Sequence, residues 1–460
     1  MASESDSTQH PAAARSAPAA PPAAASTALL TDHYELTMLA GALHSGVASR
    51  RAVFEVFARH LPHGRRYGAV AGTGRLLDAL ERFTFSQDDL RFLSESGVAD
   101  EATCAFLESF RFTGNIWGYA EGECYFPGSP ILVVESTFAE AVVLETLVLS
   151  ILNHDCAIAS AASRMVTAAR GRPLIEMGSR RTHELAAVAS ARAAYIAGFA
   201  ATSNLRAGCD YGVPTSGTSA HAFTLVHDSE RHAFASQLAA LGTGTTLLVD
   251  TYDVARAVRT AVELAGPELG AVRIDSGDLA VVAQQVRELL DELGAKQTRI
   301  ILTGDLDEHS IAALAALPVD GYGVGTALVT GSGAPTAALV YKLVARAPDA
   351  GPAGELRPVA KHSVGKPSRG GRKWAIRHRD DRGTAMTEVV TTEPPQPGPT
   401  DRLLLRPLVQ GGEIVGREPL AAARQRHQQA LAELPAYACQ LSRGYPAIPT
   451  VFQPDGGQPG

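Results

Sequence analysis

The middle of the chain, between about Asn153 and Ala345, is built on one rhythm. A short apolar run closes on Gly, Asp, Ser or Thr, and an Ala- or Leu-rich stretch of helical period follows. The clearest runs are 174–178, 247–250, 272–275, 300–305 and 321–326. Apolar runs of this length, separated by room for one helix, are the pattern of successive βα units. Parallel strands need a crossover of about a dozen residues or more, and the helices that make it cover the sheet. An α/β fold with a parallel sheet follows, either a barrel or a doubly wound sheet. In both, the carboxyl ends of the strands share one edge, and chemistry is expected there.

The flanking regions read differently. A chain of 460 residues is longer than the roughly 250–300 residues that one core normally serves, so two domains are expected. Residues 1–27, rich in Ala, Pro and Ser, read as a disordered tail. Residues 28–152 read as an N-terminal α/β domain. Thr31-Asp32 ahead of Tyr34 has the form of a capped helix start, 51–58 alternates like a strand, and 131–134 leads into an apolar helical stretch through Leu152. Residues 153–345 form the βα region. Residues 346–460 open on a turn-rich break and carry a basic cluster (Lys361, Lys366, Arg369, Arg372, Lys373), a Pro-rich passage at 394–399 and a frayed end beyond Gln453.

The formal net charge of -7 excludes nucleic-acid binding by bulk electrostatics and leaves small anions as the expected ligands. Cys104, Cys124, Cys156, Cys209 and Cys439 are scattered, with no C-x-x-C pair, as for free thiols in a reducing compartment. No apolar run approaches the roughly 20 residues of a membrane span; the best candidate is interrupted by Glu135, Glu140 and Glu145. The first residues lack the basic flank and apolar centre of a secretory signal. A cytoplasmic protein without a membrane partner is expected.

Five stretches carry candidate chemistry. Arg273-Ile-Asp275-Ser-Gly-Asp278 ends an apolar run with a cation and two carboxylates, a set suited either to a sugar diphosphate with its Mg2+ or to a solvated turn with one ion pair. Gly304 and Gly325, in two neighbouring run ends, let backbone N–H groups approach a monophosphate, although glycines there also serve plain turns. His221, after Gly217-Thr-Ser-Ala, is either a phosphate acceptor steadied by hydroxyls or a partly buried structural histidine; His154, His183 and His309 read as structural. Arg180-Arg181 suits forked recognition of a carboxylate or phosphate, or is a solvated basic pair. Phosphate-loop chemistry is excluded near Gly365-Lys366, because Ala360 and Pro367 stand where a glycine and a hydroxyl residue are needed.

Taken together, Leu30-Thr-Asp-His-Tyr-Glu-Leu-Thr-Met38, Glu176-Met-Gly-Ser-Arg-Arg181, Gly217-Thr-Ser-Ala-His-Ala-Phe223, Val272-Arg-Ile-Asp-Ser-Gly-Asp278 and Gly323-Val-Gly-Thr326 resemble nicotinate phosphoribosyltransferases, in the same order and over most of Leu29 to Lys373. The resemblance implies an irregular, incomplete βα barrel of the type II phosphoribosyltransferase kind, with a second α/β domain built from the N-terminal and C-terminal segments. It implies a homodimer with shared active sites. His221 matches the histidine phosphorylated by ATP. Tyr34 matches the tyrosine that lies on the pyridine ring, supplied by the partner subunit. Thr218 and Arg273 match nicotinate-binding positions, and Arg180 an arginine near pyridine and phosphate. Thr326, Gly304 and Gly325 match phosphate-binding positions, while Asp275 and Asp278 would bind ribose hydroxyls or Mg2+. Lys361, Ser363 and Lys366 resemble a loop near the phosphates.

Three departures stand out: Met177 where an aromatic residue is frequent, Glu35 where glutamine is, and His362 where an apolar residue is. The reaction implied is transfer of nicotinate to phosphoribosyl pyrophosphate with coupled ATP hydrolysis, in NAD salvage. Competing readings are a nicotinamide or quinolinate phosphoribosyltransferase, or a non-catalytic phosphoribosyl pyrophosphate sensor. Thr202-Ser203-Asn204, without a carboxylate, favours nicotinate.

Overall fold

The structure, a computed structural model, describes residues 25–350, 355–361 and 368–453. The five apolar runs form strands Leu174–Glu176, Thr246–Leu248, Ala271–Ile274, Arg299–Leu302 and Gly321–Val324. With Ala201–Thr202 they make one six-stranded sheet in the order 201–202, 174–176, 321–324, 299–302, 271–274, 246–248, and every pairing is parallel. The ends 201–202 and 246–248 do not pair with each other, so the sheet is a curled half-barrel. Helices Val254–Ala265, Leu279–Glu292 and Glu308–Leu314 make three of the crossovers. Leu247, Val272, Ile274, Ile300, Leu302 and Val324 pack with Ala257, Val258, Val286, Leu290 and Ile311 from those helices in one core, which accounts for the unbroken apolar character of the runs.

The second body is antiparallel except where Ala385–Thr391 pairs parallel with Thr450–Gln453. Its seven-stranded sheet runs Arg357–Pro358, Leu339–Ala350, Arg50–Ala58, Leu132–Thr137, Asn115–Tyr119, Leu405–Gln410, Glu413–Ile414. Phe54 and Tyr341 from neighbouring strands stack at 4.8 Å between ring centres. A four-stranded sheet, Arg402–Leu403, Trp374–Arg379, Ala385–Thr391 and Thr450–Gln453, completes it.

Helix Glu145–Ala168 joins the two bodies. Leu147, Val148, Ile151 and Leu152 lie in the core of the antiparallel body, while Ile158, Ala159, Ala162 and Met165 lie in that of the half-barrel. A division between 152 and 153 therefore falls inside one continuous helix that serves both cores.

The structure corrects four local expectations. Strand Leu339–Ala350 pairs antiparallel with Arg50–Ala58 rather than closing the βα region at 345. Thr27, placed in the tail by its composition, is buried, and its hydroxyl donates to the Ala79 carbonyl at 2.6 Å. Helix His33–His44 begins after Asp32, but no side-chain cap bond forms there; the Thr31 hydroxyl turns instead to Glu35. Finally, 138–168 is long and apolar enough to cross a membrane, contrary to the reading of its glutamates as interruptions, yet 67% of its most apolar window is buried inside the protein. It is a core helix. The tail 1–24, Ser363, Lys366 and the end beyond Gln453 lie outside the described residues.

Candidate active site

The register of the parallel sheet sets the site. Arg273 is level with Leu248 on one side and Ile301 on the other, so two residues further on, Asp250, Asp275 and Thr303 follow in a row across the carboxyl edge. Because side chains alternate along a strand, Arg273 and Asp275 share a face. The Arg273 guanidinium is 3.5 Å from Asp275. Its Nε donates to Thr303 Oγ1 at 3.1 Å, and its Nη1 to the Thr218 hydroxyl and, at 3.1 Å, to the Ser219 carbonyl. Three acceptors hold the fork; its Nη2 makes no closer contact than the 3.5 Å to Asp275, and is where a carboxylate or phosphate can be recognised.

His221 is the first residue of the short helix His221–Leu225. Its Nδ1 lies 3.1 Å from Thr251 Oγ1, and its Nε2 is 4.0 Å from Asp275 Oδ2. The side chains of His221 and Asp275 are 39% and 35% exposed, so the pair faces outward from a firmly built floor. Thr303 supplies part of that floor, donating to Asp275 Oδ1. Asp250 supplies the rest: its Oδ2 accepts from the Asp275 amide at 2.8 Å and from the Ser276 hydroxyl at 2.7 Å, while its Oδ1 is buried with no hydrogen-bond partner. Gly304, at φ +126°, follows Thr303; a Cβ there would stand 3.2 Å from the Asp275 carbonyl, so the backbone approaches closely only as glycine.

Thr218, His221, Arg273, Asp275 and Gly304 thus converge. Asp250, Thr251 and Thr303 were not singled out from the sequence, and the only available signal was that each lies within three residues of a strand end.

The nicotinate phosphoribosyltransferase (NAPRTase) N-terminal domain matches residues 29–153. Nicotinate phosphoribosyltransferase pncB1 of Mycobacterium tuberculosis (strain ATCC 25618 / H37Rv) is 60% identical over 432 residues, 92% of this chain and 94% of the relative. The chain belongs to the nicotinate phosphoribosyltransferase family. Nicotinate phosphoribosyltransferase of Bacillus subtilis (strain 168) is 39% identical over 330 residues, 70% of this chain and 67% of that protein. The crystal structure of human nicotinic acid phosphoribosyltransferase superimposes with a TM-score of 0.77 at 25% identity, covering 92% of this chain and 97% of that one.

The remaining residues carried over from the family are dispersed around this centre. Arg180 is exposed in the loop after Leu174–Glu176, a loop tied to the next unit by the Asn204 amide donating to Ser179 at 3.0 Å. Gly325 and the exposed Thr326 follow strand Gly321–Val324. Met177, the departure from the frequent aromatic, lies over Gly323, where any Cβ would be 2.7 Å from its sulfur. Asp278 caps helix Leu279–Glu292, accepting from the amides of Ala280 and Val281 at 3.2 and 3.3 Å. Lys361 is exposed.

Tyr34 belongs to the antiparallel body. Burial and then the neighbouring Glu145 carboxylate push its phenol up to about 12, so it remains a neutral hydroxyl. Glu35 beside it accepts from the Thr146 amide at 2.7 Å and hydroxyl at 2.5 Å, which fixes the Tyr34 helix against the start of Glu145–Ala168.

One sequence argument needs correction. Thr202-Ser203-Asn204 has no carboxylate of its own, but the neighbouring strand brings one: buried Glu176 accepts from Thr202 Oγ1 at 2.5 Å. Burial pushes that carboxyl up, favouring the neutral acid, and Thr202 and the Gly178 amide occupy its oxygens.

Proposed function

We propose that this enzyme transfers the phosphoribosyl group of phosphoribosyl pyrophosphate to nicotinate, giving nicotinate mononucleotide and pyrophosphate in NAD salvage, with ATP hydrolysis coupled through His221. The observation that carries the reading is the grouping of Thr218, His221, Arg273 and Asp275: Arg273 donates to Thr218 and lies 3.5 Å from Asp275, which in turn lies 4.0 Å from His221. A sensor needs ligand contacts but no phosphoryl acceptor, so an imidazole set beside that arginine and carboxylate favours the enzyme.

In the transfer, the pyridine nitrogen forms the new bond to the anomeric carbon as the carbon–oxygen bond to pyrophosphate breaks, and the electron pair leaves with pyrophosphate. A pyridine nitrogen carries no proton to remove, so no general base is needed. Alignment and neutralisation of the leaving charge are what the protein supplies. Arg273 and Thr218 orient the nicotinate carboxylate, Arg180 and Thr326 approach the phosphates, and Gly304 and Gly325 open the backbone to the monophosphate.

Among the described residues no three His, Cys, Asp or Glu side chains gather as a metal site. This suits Mg2+, which is commonly held by one or two carboxylates together with substrate phosphates and water. Asp275, with Asp278, would hold it, and the unpartnered buried Oδ1 of Asp250 fits the same electropositive ligand; bound there, the ion would neutralise the departing diphosphate. Tyr34 lies in the other body, 46% exposed, which suits its service to a partner's site in a homodimer. A cytoplasmic location fits its free cysteines.

The test is formation of nicotinate mononucleotide from labelled nicotinate, phosphoribosyl pyrophosphate and Mg2+, with and without ATP, beside nicotinamide and quinolinate. Product from nicotinate alone, increased by ATP, is the expected result, and His221→Ala should remove the ATP increment while leaving some uncoupled transfer. Turnover of another pyridine would change the substrate assignment. No turnover with any of the three would favour the sensor.

A further inference from the structure

The end of strand Thr246–Leu248 does two things in consecutive residues. Asp250 Oδ2 anchors the Asp275 amide and the Ser276 hydroxyl, and Thr251 Oγ1 meets His221 Nδ1 at 3.1 Å. One rigid strand end therefore sets both the imidazole and the carboxylate that faces it, and fixes the separation of His221 Nε2 from Asp275 Oδ2 at 4.0 Å. Of the two ring nitrogens, Nδ1 is engaged by a hydroxyl, while Nε2 faces Asp275 Oδ2 beyond hydrogen-bond distance. With the proton on Nδ1 and the Thr251 hydroxyl accepting it, the Nε2 lone pair is left free.

We infer that Thr251 is the positioning residue for phosphoryl transfer to His221, accepting the Nδ1 proton so that Nε2 is the nucleophile. This deepens, and rests on, the ATP-coupled reading above. In the step, the Nε2 lone pair attacks the terminal phosphorus of a nucleoside triphosphate, and the N–P bond forms. The P–O bond to the bridging oxygen breaks, and its electron pair leaves on the nucleoside diphosphate. The Nδ1 proton stays on the ring, shared with Thr251, and the delocalised positive charge lies beside Asp275. Water later takes the phosphoryl group, returning the neutral imidazole in the same tautomer. Without the hydroxyl, the ring can flip or adopt the other tautomer, and the nucleophilic lone pair no longer has a fixed direction.

Thr251→Val keeps the branched shape and removes only the hydroxyl; Thr251→Ser keeps the hydroxyl. With ATP labelled in its terminal phosphate and the full chain, the rate of label transfer to protein should fall about tenfold in the valine variant, as for one lost orienting hydrogen bond. The serine variant should return to within about twofold, a rescue that a packing role alone would not give. After alkaline hydrolysis, the labelled histidine from the unsubstituted protein should be the Nε2-phospho isomer. Label on Nδ1, or a valine variant that labels at the unsubstituted rate, would overturn the inference while leaving ATP coupling intact. Absence of labelled histidine in the unsubstituted protein would overturn the ATP-coupled reading itself, and the inference with it.

Discussion

Two clusters of arginine and carboxylate, one in each body, use the same side chains to opposite ends. In the antiparallel body Arg377 is 0% exposed, its Nη1 2.7 Å from Glu123 and its Nη2 2.6 Å from Glu388, whose side chain is also fully buried. Arg402 joins Glu123 to Glu433, and Tyr119 donates to Glu388 at 2.7 Å. The charges there pair with one another in the interior, Tyr119 of the seven-stranded sheet reaching Glu388 of the four-stranded one, although the Nε atoms of Arg377 and Arg402 find no hydrogen-bond partner. In the half-barrel, Arg273 is held by hydroxyls and a carbonyl, Asp275 and His221 reach solvent, and Asp250 keeps an unpartnered oxygen. A cluster whose charges are buried against one another holds chain segments together. One whose carboxylate and imidazole reach solvent can give its remaining interactions to a substrate.

The largest effect should come from breaking the sealed cluster. Arg377→Met leaves Glu123 and Glu388 buried without their main counter-charge, and should lower stability by about 3–5 kcal/mol, read as the denaturant midpoint of the whole enzyme. A loss below about 1 kcal/mol would mean that the cluster is no more than a surface-type ion pair. Next, Arg273→Ala should reduce kcat/KM for nicotinate transfer by about 10²–10³, as for removal of one oriented donor in an active site, with little movement of the midpoint. Equal damage to stability and activity would erase the distinction between the clusters.

The smallest effect concerns acid. Burial would raise the Glu123 carboxyl, but Arg377 and Arg402 outweigh it and hold the group down at about 2, against an ordinary 4.5. A depressed folded-state value contributes stability that is fully present above 4.5 and drains away as pH falls toward 2. Melting temperature followed from pH 6 downward should therefore drop in that window. Glu123→Gln should show a shallower slope; an unchanged slope would assign the acid sensitivity elsewhere.

The two regions were also unequally legible. In the half-barrel the chemistry sits within a few residues of the strand that carries it, so Arg273, Asp275 and the rhythm of apolar runs could be read together. Thr251, Thr303 and Asp250 could not, because their meaning lies in cross-strand neighbours: Leu248, Arg273 and Ile301 are level only in the folded sheet. The sealed cluster gave no signal at all. Glu123 and Arg377 are 254 positions apart, and nothing local distinguishes them from surface charges. Glu176 makes the same point within the site. As a strand residue it was readable, but its approach to Thr202, which alters the argument from Thr202-Ser203-Asn204, comes from parallel pairing of two short strands.

The sequence by itself determined the alternation of strand and helix, the side on which chemistry gathers, and the arginine, aspartate and histidine that stand there. The alternation, the arginine and the aspartate follow from apolar periodicity and from residue types at strand ends, both local properties of the chain; the histidine followed from the family resemblance. Only the tertiary structure decided that helix Glu145–Ala168 would serve two cores, and which arginine would be sealed among carboxylates and which set beside a partly exposed one. Burial and register depend on segments that meet only after folding, and these set the environment of a charge.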